Sequence, residues 1–194
     1  MKKIFTLSKP SAFFIAFLCA ISFGFGQVEL ASYSSVNNTG CSGIIANNTN
    51  VSAAGICRGP GIAYNASLEY NSRNWTNNAS TFDVNDYLEW TLSPNANYQI
   101  DLTNMDIRYN RSNTGPDKML IRMNTGSGYV TIFNDDGTNS VSVNGEDHTI
   151  DLSAYTSLTS TITFRLYAYR SGTGNGTFRI QQTSTATLAN QGII

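Results

Sequence analysis

Apolar side chains recur at every second position through a long central stretch of the chain. Leu88, Trp90 and Leu92 alternate with more polar neighbours, and this period of two is typical of a strand with one buried face. The same period returns in the segments that follow, but the apolar positions change from even to odd numbers near residue 103. One extra residue at a β-bulge would produce that change. We therefore predict a long antiparallel β-meander from residue 86 to residue 123, at the centre of the fold.

Shorter apolar runs, separated by turn residues, extend the pattern in both directions. The clearest is residues 161–170, where every second side chain is again apolar. Residues 37–58 are rich in Asn and Gly and are expected to form a loop. No stretch shows helical periodicity beyond a turn or two. The pattern predicts an all-β fold, an antiparallel two-sheet β-sandwich of the jelly-roll type with about nine or ten strands.

The start of the chain has the pattern of a secretory signal peptide. Lys2 and Lys3 precede an apolar run that is too short to span a bilayer, and Gly24 and Gly26 are the small residues that would precede a cleavage site before Gln27. The mature protein is therefore expected to be secreted, whether extracellular, on the cell surface or in a periplasm. We expect a signal peptide at residues 1–26, a β-sandwich domain at 27–182 and a polar C-terminal tail at 183–194.

The charge balance argues against one class of partner. Twelve basic residues against thirteen acidic ones give a formal net charge of −1, and there is no basic stripe, so nucleic acid is not an expected partner. Only 13% of the residues are charged, and the polarity comes from Asn, Thr, Ser and Gly, as in exported β-proteins with many turns.

No second apolar run is long enough for a transmembrane helix, so no membrane span is expected in the mature chain.

Two cysteines remain once the signal peptide is removed. Cys41 and Cys57 lie close together in a segment with few apolar residues, and in an exported chain such a pair predicts a disulfide. The alternative is two free thiols in a reducing compartment. A zinc site at the cysteines would need two more ligands, and the single histidine, His148, is distant in sequence.

Five short segments between residues 62 and 181 together carry a family resemblance. They are DYLEWTL at 86–92, YQIDL at 98–102, RSNTGP at 111–116, the strand around Arg122, and GNGTFRI at 174–180. The chain resembles exported bacterial jelly-roll modules of the galactose-binding-like and carbohydrate-binding-module type, found in secreted proteins of Bacteroidetes. The resemblance implies a non-catalytic module without indicating one ligand. Gln181 and Gln182 stand where related modules carry an acidic residue for a structural calcium ion, so the resemblance does not extend to that site.

Outward-facing rings and charges on two strands are the first candidate for a binding site. Arg165, Tyr167 and Tyr169 project from one strand, and Tyr87 and Glu89 project from another. If the two strands share a sheet, the rings could stack on the C–H surface of a sugar while Arg and Glu pair with its hydroxyls. The alternatives are that these are ordinary outward strand positions, or that loops cover them.

Two loop features are further candidates. Trp75 stands alone in a polar segment, where it would be an accessory ligand contact or a plug over the end of the core. No cofactor is expected, although calcium is possible at either of two loops that lack a recognised ligand spacing. The oxygen ligands would come from Asn134, Asp135, Asp136 and Thr138, or from Asp83, Asn85 and Asp86.

Catalysis is an alternative to binding. Glu89 could act with Glu69 as the carboxylate pair of a polysaccharide hydrolase, but the paired-acid strand motif of jelly-roll glycosidases is absent. His148 follows two acidic residues in an expected hairpin turn, where a solvated side chain is the simplest interpretation. The sequence favours a secreted, non-catalytic module that binds a glycan or a cell-surface polysaccharide. The alternatives are a structural or adhesive surface protein without a small ligand, and a hydrolase.

Overall fold

The computed structural model describes residues 28–67, 69–137 and 141–181, which form β-strands and no helix. None of these residues therefore belongs to a helix that could cross a membrane. The expected signal peptide and C-terminal tail lie outside the described residues. The strands are β1 (Ala31–Tyr33), β2 (Ile44–Asn47), β3 (Val51–Arg58), β4 (Ala63–Tyr64), β5 (Tyr70–Arg73), β6 (Thr76–Asn77), β7 (Tyr87–Pro94), β8 (Asn104–Arg111), β9 (Lys118–Asn124), β10 (Tyr129–Asp135), β11 (Glu146–Asp151), β12 (Ile162–Ser171) and β13 (Phe178–Gln181).

Two larger sheets build the sandwich, which confirms the predicted fold class. The six-stranded sheet has the order β10-β9-β12-β7-β3, with β6 pairing in parallel alongside β12. The five-stranded sheet has the order β11-β8-β13-β5-β4, and β1 and β2 form a separate ribbon. The other pairings between these strands are antiparallel. More strands are present than the nine or ten expected, because several of them are only two to four residues long.

The inner faces of the two sheets supply one core. Trp90 on β7 and Phe164 on β12 stack with their ring centroids 5.4 Å apart, and Phe178 meets this core from the opposite sheet. Burying one such ring stabilises the fold by about 2–3 kcal/mol. The alternation predicted for β7 and β12 is confirmed by the burial of Leu88, Trp90, Leu92, Ile162, Phe164, Leu166 and Ala168.

The predicted β-meander is wrong, although three of its strands, β7, β8 and β9, exist. β7 and β9 lie in the six-stranded sheet, whereas β8 between them lies in the five-stranded sheet. The chain crosses between the sheets through residues 98–102, which form no regular strand. Ile100 exchanges two backbone hydrogen bonds of 2.9 Å with Leu158, and this contact holds the crossing. The change in parity near residue 103 marks the crossing rather than a bulge within one sheet.

The segment predicted as a loop between residues 37 and 58 contains two strands, β2 and β3. The predicted disulfide is confirmed, since Cys41 and Cys57 are bonded with their Cα atoms 4.2 Å apart. The Ser42 amide donates to the Ile56 carbonyl at 2.8 Å, and the Ile56 amide donates to the Ser42 hydroxyl at 3.0 Å. The disulfide and these bonds fasten the preceding segment onto β3, the edge strand of its sheet.

Arg58, at the end of β3, ties that edge to the other sheet. Its Nε donates to the Ser72 hydroxyl at 2.8 Å, and Nη2 donates to the Asn71 carbonyl at 2.9 Å, both on β5. The guanidinium lies 4.0 Å from the ring centroid of Tyr70. Its other hydrogen bonds go to the Asn37 side chain and to the Asn38 and Gly40 carbonyls. All of the N–H donors of Arg58 therefore have partners.

We expect the Cys41→Ser, Cys57→Ser double variant to lose about 3 kcal/mol of unfolding free energy, because the closed loop no longer restricts the unfolded chain. Urea denaturation, followed by the fluorescence of the buried Trp75 and Trp90, measures the difference. The control is the wild type with a reducing agent, which should reproduce the loss. An unchanged midpoint in both experiments would contradict a stabilising role for the disulfide.

Candidate functional site

Strands β7 and β12 are neighbours in the six-stranded sheet, as the proposed binding face requires. In the antiparallel register Arg165 lies opposite Glu89, and Tyr167 lies opposite Tyr87. Side chains on directly opposite residues of neighbouring strands are close enough to interact. The structure thus brings four of the predicted residues together on the outer face of the sheet.

Arg165 is the centre of this face. Its Nε donates to the Glu89 carboxylate at 2.7 Å, and its guanidinium lies 4.1 Å from the ring centroid of Tyr87 and 4.8 Å from that of Tyr129. Burial acts against the charge, but hydrogen bonds with Tyr167 and Glu89 raise the pKa of Arg165 above its ordinary value. The cation is therefore fixed in place by a carboxylate and two rings.

Sequence reasoning missed two residues that complete the face, Tyr129 and Arg122. They lie on β10 and β9, and β9 pairs with the other side of β12, where Arg122 is opposite Arg165. The Arg122 Nη2 donates to the Tyr129 carbonyl at 2.7 Å, and its guanidinium lies 5.7 Å from the Tyr129 ring centroid. Burial raises the pKa of Tyr129, with Arg165 opposing that shift. Alternation on β9 could have shown that Arg122 points outward, but not which strand lies beside it.

Five residues on the outer side of the six-stranded sheet form what we call the aromatic–arginine face. Each of the five is half-buried. The face presents two tyrosine rings, two guanidinium groups and a carboxylate. Rings of this kind bind the C–H surface of a sugar, and the charged groups bind its hydroxyls. Its members are Tyr87, Glu89, Arg122, Tyr129 and Arg165.

Tyr167 and Tyr169 were predicted to present their rings on this face, and that prediction is wrong. They are only 2% and 5% exposed, because Phe82 folds over them with centroid distances of 4.4 and 6.4 Å. With Leu120 they form a second, smaller core on the outside of the sheet. Tyr167 still packs against the face, since its ring lies edge-on to that of Tyr87 with the ring centroids 5.9 Å apart.

Trp75 was predicted as an accessory binding residue, and the structure places it in the core instead. The side chain is 1% exposed, and its ring meets Phe178 edge-on at 5.6 Å. Its indole Nε1 donates to the Ser72 carbonyl at 2.9 Å, which satisfies the polar atom of the buried ring. Trp75 is therefore the plug over the core that was the alternative interpretation.

The carboxylate pair considered for hydrolysis is not assembled. Glu89 is on the six-stranded sheet and is bound to Arg165, whereas Glu69 directly precedes β5 of the five-stranded sheet. Glu69 accepts a hydrogen bond of 2.5 Å from the Gln181 side chain. The two glutamates consequently do not face each other across a groove.

The two loops considered for calcium are organised largely by their own hydrogen bonds. Asp83 accepts from the Asn85 amide at 2.8 Å, and Asp86 accepts from the Thr76 hydroxyl at 2.6 Å. Burial raises the pKa of Asp86. In the other loop Asn134 donates to Asp136 at 2.9 Å, and Thr138 lies outside the described residues. Calcium at either loop stays a prediction.

A cleft in the protein surface is formed by residues other than those of the aromatic–arginine face. It is a cleft of about 700 Å³ at the end of the sandwich, lined in part by Tyr33, Trp90, Tyr98 and Phe164. The Tyr33 hydroxyl is buried and has no hydrogen-bond partner within the described part of the chain, and burial raises the pKa of Tyr33. The predicted binding residues do not line this cleft.

Comparison with known proteins finds structural similarity to a solved protein and no matching sequence family. No family model matches the chain, and no curated protein matches it. The chain is similar in structure to a family 35 carbohydrate-binding module from Clostridium thermocellum, with 17% sequence identity and a TM-score of 0.33. The similarity covers 68% of this chain and 96% of the module. A TM-score this low carries no argument about a ligand or a reaction.

We expect a double-mutant cycle with Glu89→Gln and Arg165→Gln to give a coupling energy of about 1 kcal/mol, falling with added salt because both groups reach solvent. Chemical denaturation of the four proteins measures it. The matched control is Arg108 and Asp147, a cross-strand ion pair of 2.9 Å with similar exposure and no ring described over its guanidinium. Equal couplings in the two cycles would contradict the idea that rings hold Arg165 in place.

Proposed function

We propose that this protein is an exported, non-catalytic binding domain that recognises a glycan or a cell-surface polysaccharide through its aromatic–arginine face. Sugar recognition needs flat rings beside fixed hydrogen-bonding groups. Tyr87, Tyr129 and Arg165 offer both on one side of the sheet. A glycan would lie across the strands, because these residues come from β7, β10 and β12.

One observation carries the proposal, namely the fixed position of the Arg165 guanidinium. It is bonded to Glu89 at 2.7 Å and lies 4.1 Å from the Tyr87 ring centroid, while its side chain keeps 26% of its surface exposed. A long side chain on a surface is normally free to adopt many rotamers, and ordering it on binding costs free energy. Arg165 is held by Glu89 and two rings and still reaches solvent, so less of that cost would remain on binding, which supports the proposal.

Export is part of the proposal and rests on two observations. The start of the chain has the pattern of a signal peptide, and the Cys41–Cys57 disulfide is of a kind that persists in oxidising compartments. A glycan outside the cell or on its surface is a ligand that suits this location.

The two alternative functions make different demands on the same face. A structural or adhesive surface protein needs no small ligand there. A polysaccharide hydrolase needs a second acid beside Glu89, but Glu89 is bound to Arg165, and Glu69 directly precedes β5 of the other sheet. The geometry therefore favours binding over hydrolysis.

We expect the wild type to bind one class of glycan on an array, and Tyr87→Ala, Tyr129→Ala and Arg165→Gln each to weaken that binding about tenfold or more, as central interface residues do. The matched control is Tyr98→Ala, which removes an exposed tyrosine at the separate cleft and should leave binding unchanged. Thermal melting of each variant confirms that it is folded.

Two results would overturn this proposal. Loss of binding in Tyr98→Ala with no effect of Tyr87→Ala would place the glycan in the cleft. Absence of binding across the whole array would support the structural or adhesive alternative. Incubation with a polysaccharide panel tests catalysis, and we expect no release of sugar from either the wild type or Glu89→Gln.

A further inference from the structure

Three side chains with metal-ligating atoms meet where the two sheets come together at their edges. Asp135 ends β10, the edge strand of the six-stranded sheet, while Glu146 and His148 belong to β11, the edge strand of the five-stranded sheet. Glu146 and His148 are two positions apart on one strand and therefore share a face, and Ile150 on that face is buried. This cluster uses none of the residues of the aromatic–arginine face, although Asp135 and Tyr129 stand at opposite ends of β10.

The ligand atoms of this cluster are close together. A carboxylate oxygen of Asp135, one of Glu146 and a ring nitrogen of His148 all lie within 4.8 Å of one another. The His148 Nε2 is 3.8 Å from the Glu146 Oε1, which is too long for a hydrogen bond. That nitrogen is inaccessible to solvent and has no hydrogen-bond partner among the described residues. A buried nitrogen without a partner is costly, and an ion between these groups would satisfy it.

Neighbouring residues hold each of the three groups in place. The Tyr109 hydroxyl donates to the Asp135 Oδ2 at 2.8 Å, and the Tyr109 ring stacks on the His148 imidazole at 4.9 Å between centroids, with an angle of 2° between the planes. The Ser142 amide donates to the Glu146 Oε1 at 3.1 Å. Supporting hydrogen bonds of this kind orient the ligands of metal sites.

Electrostatics also favours a cation at this position. Two carboxylates lie near each other in a half-buried space between the sheets, and their mutual repulsion is larger there than in water. A divalent ion would compensate the charge of both carboxylates at once.

We propose that Asp135, Glu146 and His148 bind a zinc ion that joins the edges of the two sheets, with water as the fourth ligand. Zinc takes imidazole nitrogen and carboxylate oxygen together, at bond lengths of about 2.0–2.2 Å. Tetrahedral ligands at that distance are about 3.4 Å apart, so a pair at the full 4.8 Å would have to approach by about 1.4 Å. Side-chain rotations would have to supply this movement on binding. Calcium prefers oxygen ligands and would leave the imidazole unused.

The first test uses untagged protein, because its only histidine is His148. After removal of metals with a chelator, one equivalent of zinc should shift the imidazole NMR signals, and one equivalent of calcium should not. Only one residue can give these signals, so the assignment needs no variant. Unshifted signals at saturating zinc would overturn the proposal, as would an equal shift with calcium.

The second test measures thermal stability, since an ion that joins two sheets binds the folded state and not the unfolded one. We expect zinc at a hundredfold excess over its dissociation constant to raise the Tm by about 5 °C or more. His148→Gln and Glu146→Gln should each abolish the rise. The matched control is Asp151→Asn, an exposed carboxylate on the opposite face of β11, which should keep it. A zinc-dependent rise that survives in His148→Gln would show binding elsewhere and contradict the site.

Discussion

Strand β12 is the constraint on which the rest of the structure depends. It lies between β7 and β9 in the six-stranded sheet, and both of its edges are therefore paired. Its side chains alternate between the inner and the outer face of that sheet. Phe164 on its inner face packs in the main core, while Arg165 on its outer face is bound to Glu89. A slip of one residue would exchange these faces, exposing Phe164 and burying Arg165 away from its carboxylate. An unpaired buried charge costs several kcal/mol, so the core and the aromatic–arginine face enforce the same register.

The two lateral sides of the sandwich are closed by different chemistry. On the side of β3, the Cys41–Cys57 bond and the hydrogen bonds of Arg58 fasten an edge strand to its neighbours. On the side of β10 and β11, Asp135 and His148 meet across the gap between the sheets. Edge strands present unpaired backbone groups and are the weak points of a sandwich. A covalent bond protects one side, and the proposed zinc ion would do the same for the other.

The tyrosines on the outer face of the six-stranded sheet fall into two groups, one covered and one half-exposed. Phe82 covers Tyr167 and Tyr169 of β12 and makes them part of a small core. Arg165 on the same strand and Tyr87 on β7 remain half-exposed. Groups borne on paired strands hold their positions more accurately than groups on loops, and the proposed glycan recognition requires such positions.

Local alternation in the sequence determined which side chains face inward on β7 and β12, and two nearby cysteines in a chain with the pattern of a signal peptide determined the disulfide. These properties depend on neighbours within a few residues, because side chains alternate along any strand. Tertiary structure alone decided which strands lie side by side, since a strand's partners come from distant parts of the chain. The crossing after β7, the burial of Tyr167 under Phe82, the approach of Tyr129 to Arg165 and the meeting of Asp135 with His148 all follow from that long-range pairing.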